Sequence, residues 1–121
     1  MSRSPINKSL LPDNAAVDER GELLIGGVTA TELAETFGTP LFVYDEEHLR
    51  DRCRQVVDAF GRGAVYATKA FLCTAMARLA HEEGMRLDVA TGGEYHVARA
   101  AGVPAGDLVF HGNNKSDVEL R

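Results

Sequence analysis

A strand-like segment followed by a helix-like segment recurs along the second half of the chain at intervals of about 22 residues. The strand-like segments begin near Ala64, Arg86 and Asp107, and apolar residues at helical spacing follow each of them. This β-α-β-α-β order, with short and mostly apolar strands, is typical of a buried parallel sheet with helical crossovers. The repeat therefore predicts an α/β fold, either a doubly wound sheet or a barrel.

The length of the chain bears on the choice between these two architectures. A (β/α)8 barrel needs about 250 residues, and this chain has 121 residues with three barrel-type strands. Three strands by themselves leave edge strands unpaired and one face of the sheet uncovered. We therefore expect the chain to be the N-terminal part of a longer barrel protein. A compact three-stranded domain is the alternative.

The first half of the chain follows a different pattern. Residues 1–14 are polar, with two prolines, and predict a flexible leader. Two short apolar runs within residues 15–27 flank the turn-like sequence Glu19–Glu22 and predict a small hairpin. A helix follows, with Thr29 or Thr31 as its N-cap and Gly38 at its C-terminal end.

The connection into the repeats is predicted as a strand followed by a helix. Residues 41–44 (LFVY) have the composition of a strand, and Asp45 is a suitable N-cap for the helix that follows. That helix extends to about Phe60, and Cys53 lies on its apolar stripe. We therefore interpret Cys53 as a core residue.

Charge and cysteine usage narrow the class of function. The net charge of −5 provides no basic surface for nucleic acid. No apolar run approaches the roughly 18 residues of a membrane span, and no apolar segment of a secretory signal follows the N-terminus. Cys53 and Cys73 form neither a CxxC pair nor a metal-binding spacing. We expect a cytoplasmic protein without metal, membrane or nucleic-acid partners.

Three polar residues follow the predicted strands, and the carboxyl ends of parallel strands meet at one functional edge. They are Lys69, Asp88 and His111. Lys69 is either a lysine that extends to solvent at the rim or an amine that forms a Schiff base. Asp88 either faces the same site, or pairs with Arg86 or with a donor in a loop. For His111 the alternative is turn chemistry ahead of a helix capped by Ser116.

The glycine pair Gly92-Gly93 opens the second helix of the repeat. Glycines at this position either let a phosphate or another ligand approach the backbone, or simply form the turn. The pair is a weak phosphate signal by itself.

Three motifs in order resemble the N-terminal portion of the diaminopimelate decarboxylase family, within the alanine-racemase-like pyridoxal-phosphate-dependent decarboxylases. They are Tyr66–Ala70 (YATKA), Leu87–Glu94 (LDVATGGE) and His111–Ser116 (HGNNKS). The resemblance extends from about Gly38 to the end of the chain. Thr91 stands where many relatives have serine, and Phe71 stands where many have asparagine.

The resemblance implies a role for each of four residues. Lys69 matches the lysine that binds pyridoxal 5'-phosphate covalently and acts in catalysis. Asp88 matches an acidic residue of the cofactor pocket, Ala67 a strand residue beneath the cofactor, and His111 a position at the rim of the site.

The resemblance also implies a fold, an activity and a domain organisation. Residues 41–121 are the first βα units of a pyridoxal-phosphate-binding (β/α)8 TIM barrel, and residues 15–40 belong with a second, β-type domain. The activity is that of a carboxy-lyase that converts meso-2,6-diaminopimelate to L-lysine, the last step of lysine biosynthesis, in a homodimer. Later barrel strands, the C-terminal domain and the partner subunit complete the family's site, so the isolated chain is expected to be inactive.

Other functions remain open from the sequence. One is a different decarboxylase of the same group, acting on ornithine or arginine. Another is a non-enzymatic barrel protein that carries pyridoxal phosphate, although the N-terminal hairpin argues for a second domain.

Overall fold

The computed structural model describes residues 6–121. The chain divides into two compact units, one ending at Asp51 and the other comprising Arg52–Arg121. The predicted leader lies partly outside the described residues, and its described part contains a short 3-10 turn at Lys8–Leu10. The assignment of residues 1–14, 15–40 and 41–121 to separate domains stays a prediction.

The first unit contains a small antiparallel sheet in the order β1-β2-β3, formed by β1 (Ala16–Val17), β2 (Leu23–Ile25) and β3 (Val28–Thr29). In the turn between β1 and β2, Asp18 Oδ1 accepts hydrogen bonds from the backbone N–H groups of Arg20 (2.9 Å) and Glu22 (2.8 Å). The predicted hairpin is confirmed. The additional strand β3 has two residues, too few to give a periodic signal in the sequence.

Helix α1 (Ala30–Phe37) follows β3 directly. Of the two predicted caps, Thr29 is the one used, and its hydroxyl accepts the N–H of Glu32 at 3.1 Å. Gly38 ends the helix at φ +79°, a conformation that a residue with a Cβ rarely adopts.

The predicted strand at residues 41–44 is wrong. The structure assigns no strand there, and all four side chains are exposed, Phe42 to 88%. Composition favours an extended segment, but a strand also needs a neighbouring strand to which its backbone can bond.

Helix α2 (Glu46–Phe60) begins and ends where the sequence predicts. Asp45 is its N-cap, since its buried carboxylate accepts the backbone N–H of His48 at 3.0 Å. That hydrogen bond is the main reason why the pKa of Asp45 lies below its ordinary value, and burial opposes it. Cys53 is 6% exposed, which confirms it as a core residue.

We expect Asp45→Ala to lower the free energy of unfolding by about 1 kcal/mol, because the first turn of α2 loses its cap. The pKa shift adds a pH dependence. The stabilisation is fully present above the ordinary value of 3.8 and is lost as pH falls through the lower pKa of the folded state. Urea titrations at pH 7 and at acidic pH measure both effects, with the exposed Glu47→Ala as the control. An unchanged difference between wild type and variant across this range would contradict the linkage.

The second unit is the predicted parallel sheet. Strands β4 (Val65–Ala67), β5 (Arg86–Val89) and β6 (Leu108–Phe110) pair in parallel in the order β4-β5-β6. Helix α3 (Thr74–Glu82) connects the first pair and α4 (Gly92–Ala100) the second, and α5 (Asp117–Leu120) follows β6. The α/β prediction and the β-α-β-α-β order are confirmed.

The helices cover one face of this sheet. Leu87 and Val89 are fully buried, and α3 and α4, which contact β5, contribute buried residues to the same core. These are Met76, Ala77, Leu79, Ala80 and Ala98. Arg86 and Asp88 alternate with Leu87 and Val89 along β5, so they lie on the opposite face, where they are partly exposed. The core therefore fixes which face of β5 presents its polar side chains.

Side-chain contacts at the amino ends of the strands link the segments that lead into β4, β5 and β6. His81 Nε2 lies 3.0 Å from Asp107 Oδ2, and Arg62 approaches Oδ1 of the same carboxylate at 3.7 Å. The Asp107 carboxylate is thus a partner of His81, which lies in the last turn of α3. Across residues 6–121 no group of three histidine, cysteine or acidic side chains is arranged to hold a metal ion.

Candidate active site

Lys69 lies in a 3-10 turn, Thr68–Ala70, directly after β4, and its side chain is exposed. Side-chain hydrogen bonds hold the backbone on both sides of it. The buried Thr68 hydroxyl donates to the carbonyl of Asp88 at 2.8 Å, and the Tyr66 phenol donates to the carbonyl of Phe71 at 2.6 Å. The lysine backbone is therefore anchored at the strand end while its amine is open to solvent.

Asp88 and His111 form a pair at the ends of the two adjacent strands. The carboxylate Oδ1 of Asp88 contacts His111 Nδ1, and the His111 backbone N–H donates to the Val89 carbonyl at 3.0 Å. The alternative pairing of Asp88 with Arg86 is not the one formed, and Arg86 Nε is buried without a hydrogen-bond partner among the described residues. A carboxylate bonded to one ring nitrogen of an imidazole fixes the orientation of the ring.

Ala67 is the strand residue that faces the same side as this pair. Its Cα is in register with that of Asp88, whose other neighbour is Val109. Residues in register on parallel strands present their side chains to the same face of the sheet. Position 67 therefore carries only a methyl group on the face that presents the Asp88 carboxylate.

The glycine pair forms the first turn of α4, where a backbone N–H group is already bonded to a side chain of the protein. The Gly92 N–H donates to Glu119 Oε1 at 3.0 Å. Thr91 and Glu94 form a capping box, in which the Thr91 hydroxyl accepts the Glu94 N–H at 3.2 Å and Glu94 Oε2 accepts the Thr91 N–H at 3.2 Å. This arrangement supports turn formation, rather than phosphate binding, as the function of the glycines.

Four residues for which the sequence predicts no role make side-chain contacts with the backbone near these groups: Tyr66, Thr68, Lys115 and Glu119. Only Glu119 has a local signal, because it follows the predicted cap Ser116 by three residues and so completes a capping box. The contacts of the others join segments that lie far apart in the sequence or are made across a turn, and no local pattern indicates them.

The fold and this edge of the sheet define a class of protein. It is an α/β protein of the parallel type in which an exposed lysine and a carboxylate–imidazole pair lie at the carboxyl ends of adjacent strands. Such an amine can add to a carbonyl carbon, which is the reaction that carbonyl cofactors and substrates undergo with lysine.

Comparison with known proteins identifies the family. Residues 46–121 match the family described as pyridoxal-dependent decarboxylase, pyridoxal binding domain. This is more than half of the chain, and the chain belongs to that family. The resemblance found in the three motifs is confirmed, as is the fold as the N-terminal part of the pyridoxal-phosphate-binding barrel.

Two similar proteins from different bacteria carry the same name. Diaminopimelate decarboxylase from Mycobacterium bovis is 52% identical over 111 residues, which are 90% of this chain and 25% of the relative. The Bacillus subtilis enzyme of the same name is 50% identical over 109 residues, or 86% of this chain and 25% of the relative. The chain therefore spans about a quarter of the length of these relatives.

Solved structures agree with these relatives. Diaminopimelate decarboxylase from M. jannaschii superposes with a TM-score of 0.82 at 36% identity, over 90% of this chain and 27% of that one. A structure of the same protein in complex with L-lysine gives the same score. AQ1208 from Aquifex aeolicus superposes with a TM-score of 0.81 at 37% identity, over 88% of this chain and 27% of that one.

Proposed function

We propose that this chain supplies the cofactor lysine and part of the cofactor pocket of a diaminopimelate decarboxylase. The reaction is the pyridoxal-phosphate-dependent decarboxylation of meso-2,6-diaminopimelate to L-lysine. The observation that carries the proposal is the placement of Lys69, Asp88 and His111 at one edge of the parallel sheet. The identity of about 50% to enzymes of that name supports it, and favours it over an ornithine or arginine decarboxylase.

The residues at this edge fit pyridoxal phosphate in part. The exposed Lys69 amine suits its aldehyde, and the small Ala67 beside Asp88 suits its flat ring. The Gly92 N–H is already bonded to Glu119, so this helix end is not available for the phosphate group. This agrees with the expectation that later strands of the barrel complete the family's site.

When bound, pyridoxal phosphate accepts the electron pair that remains on the substrate carbon after carbon dioxide leaves. The proposed roles of this chain's own residues are to bind the cofactor and to orient the side chains around it. Lys69 would hold the cofactor through its amine, and the bonds of Thr68 and Tyr66 keep the Lys69 turn in place. Asp88 supplies negative charge to the pocket and orients His111, which borders the site. Ala67 leaves room for the ring.

We also propose the finer features that the resemblance implies. The complete enzyme is a homodimer in which residues 15–40 associate with a β-type domain. It acts on a small amino-acid substrate in the cytoplasm, and two cysteines that form no disulfide suit such a reducing compartment. No helix among residues 6–121 is long and apolar enough to cross a membrane.

A chimera tests the proposed activity. The matching N-terminal segment of the B. subtilis enzyme is replaced by this chain, and carbon dioxide release from meso-diaminopimelate, ornithine and arginine is measured. We expect turnover of meso-diaminopimelate. A folded chimera that binds pyridoxal phosphate but lacks this turnover would overturn the proposal. The isolated chain, assayed in parallel, is expected to be inactive.

In that chimera we expect Asp88→Asn to lower kcat/KM by about 100-fold, equivalent to about 2.7 kcal/mol of transition-state stabilisation. The amide keeps the shape of the side chain but removes the charge that orients His111. Initial rates over a range of substrate concentration give the value. The matched control is Asp58→Asn, which removes an exposed carboxylate on α2 and should leave kcat/KM unchanged. Equal kcat/KM values for Asp88→Asn and Asp58→Asn would show that Asp88 has no role in the site.

A further inference from the structure

Two side chains fasten the loop after β6, residues 111–116, to the loop after β5, residues 90–92. They are Lys115 and Glu119, and we call this pair of contacts the Lys115–Glu119 brace. Neither residue belongs to the site as described above. Both nevertheless act on the two loops that begin directly beyond Asp88 and at His111.

Lys115 connects the two loops from the side of β6. Its Nζ donates to the Ala90 carbonyl at 2.5 Å and lies 4.6 Å from the centroid of the Phe110 ring. The ammonium group therefore combines a charge-assisted hydrogen bond with a cation–π contact. Gly112 makes room for it, because a Cβ at that position would lie 2.7 Å from Nζ, and the φ of +104° also favours glycine.

Glu119 connects the same two loops from the first turn of α5. Its Oε1 accepts the Gly92 N–H at 3.0 Å, while Oε2 accepts the Ser116 N–H at 3.0 Å and the Ser116 hydroxyl at 2.9 Å. These bonds, first of all the one from the Ser116 backbone, hold the pKa of Glu119 below its ordinary value. The carboxylate is thus charged at neutral pH and joins both loops.

The brace and the Asp88–His111 pair enclose the same stretch of backbone. Ala90 and Gly92 follow Asp88 by two and four residues, and Lys115 follows His111 by four. Fixing residues 90–92 to residues 115–119 limits how far His111 can move from Asp88. A loop that contains Gly112 and two asparagines needs such constraints to hold one side chain in a single position.

We propose that Lys115 and Glu119 are positioning residues that hold His111 against Asp88 at the rim of the cofactor site. The inference rests on the proposed function, because it assigns Asp88 and His111 to that site. It adds two residues that act through His111 without touching the reacting atoms.

The first test observes the pair directly in the 15N-labelled 121-residue chain. Long-range 1H–15N spectra report the ring nitrogens of its four histidines, and His111→Gln assigns the signal of His111. Asp88→Asn defines the shift that accompanies loss of the pair. We expect Lys115→Met and Glu119→Gln to move the His111 signals in the same direction and to leave the other three histidines unchanged.

Conservative and matched variants separate positioning from general stability. Lys115→Arg keeps a donor and a cation, so it should restore much of the wild-type His111 signal. Asp117→Asn removes a neighbouring exposed carboxylate of α5 and should have no effect. His111 signals that stay at their wild-type position in both Lys115→Met and Glu119→Gln would overturn the proposal.

The second test measures cofactor binding and distinguishes the two levels of inference. The chimera is titrated with pyridoxal phosphate, reduced with borohydride and mapped by mass spectrometry. We expect a Lys69-specific adduct whose apparent Kd increases about tenfold in Lys115→Met, the effect of losing one charge-assisted hydrogen bond. Scattered labelling in wild type would count against the proposed function, while the histidine spectra would still decide the role of the brace.

Discussion

Lys69→Ala is expected to lower kcat for meso-diaminopimelate in the chimeric enzyme by about 1,000-fold or more, because the reaction loses the amine that binds and releases the cofactor. The exposed position of this side chain after β4 means that the substitution removes chemistry without opening a cavity. Single-turnover and steady-state carbon dioxide release measure the effect, and absorbance spectra show whether the cofactor remains attached.

Two further variants make this result specific to the amine. Lys69→Arg retains a positive charge, but a guanidinium stays protonated and is no nucleophile, so we expect it to be as inactive as Lys69→Ala. Lys8→Ala removes an exposed lysine far from the parallel sheet in sequence and should retain full activity. If the Lys69→Ala variant turned over meso-diaminopimelate near the wild-type rate, Lys69 would have no essential role in the reaction.

Leu87→Ala is expected to lower the free energy of unfolding of the chain by about 2–5 kcal/mol. Leu87 is fully buried on the central strand β5, on the face covered by α3 and α4. Its truncation removes apolar contacts and leaves a cavity that the surrounding helices fill only partly. Urea denaturation followed by circular dichroism gives the change in unfolding free energy.

The matched control for this substitution is Val118→Ala, which shortens a side chain that is 86% exposed on α5. Its effect should lie within about 0.5 kcal/mol of zero. If Leu87→Ala and Val118→Ala shifted the urea midpoint equally, the face of β5 opposite Asp88 would not be the core of this unit. The orientation argued for Asp88 would then fail as well, because it depends on the alternation of side chains along β5.

The predicted helix caps and the predicted end of α2 are correct because each depends only on residues in or next to its own helix. Asp45 and Thr29 cap their helices because a short polar side chain can reach the N–H two or three residues ahead. Helix α2 ends at Phe60 as its apolar stripe predicts. The failed prediction at residues 41–44 concerns a segment whose composition suits a strand but whose strand state depends on a partner chosen elsewhere.

The sequence by itself determined the α/β repeat and the appearance of Lys69, Asp88 and His111 at one edge of the sheet. It could do so because parallel strands with regular crossovers bring all their carboxyl ends to the same side. Only the tertiary structure decided that Asp88 pairs with His111 rather than Arg86, and that Glu119 occupies the amino end of α4. These contacts join residues more than 20 positions apart, and they depend on strand register and loop path, which no local pattern of residues fixes.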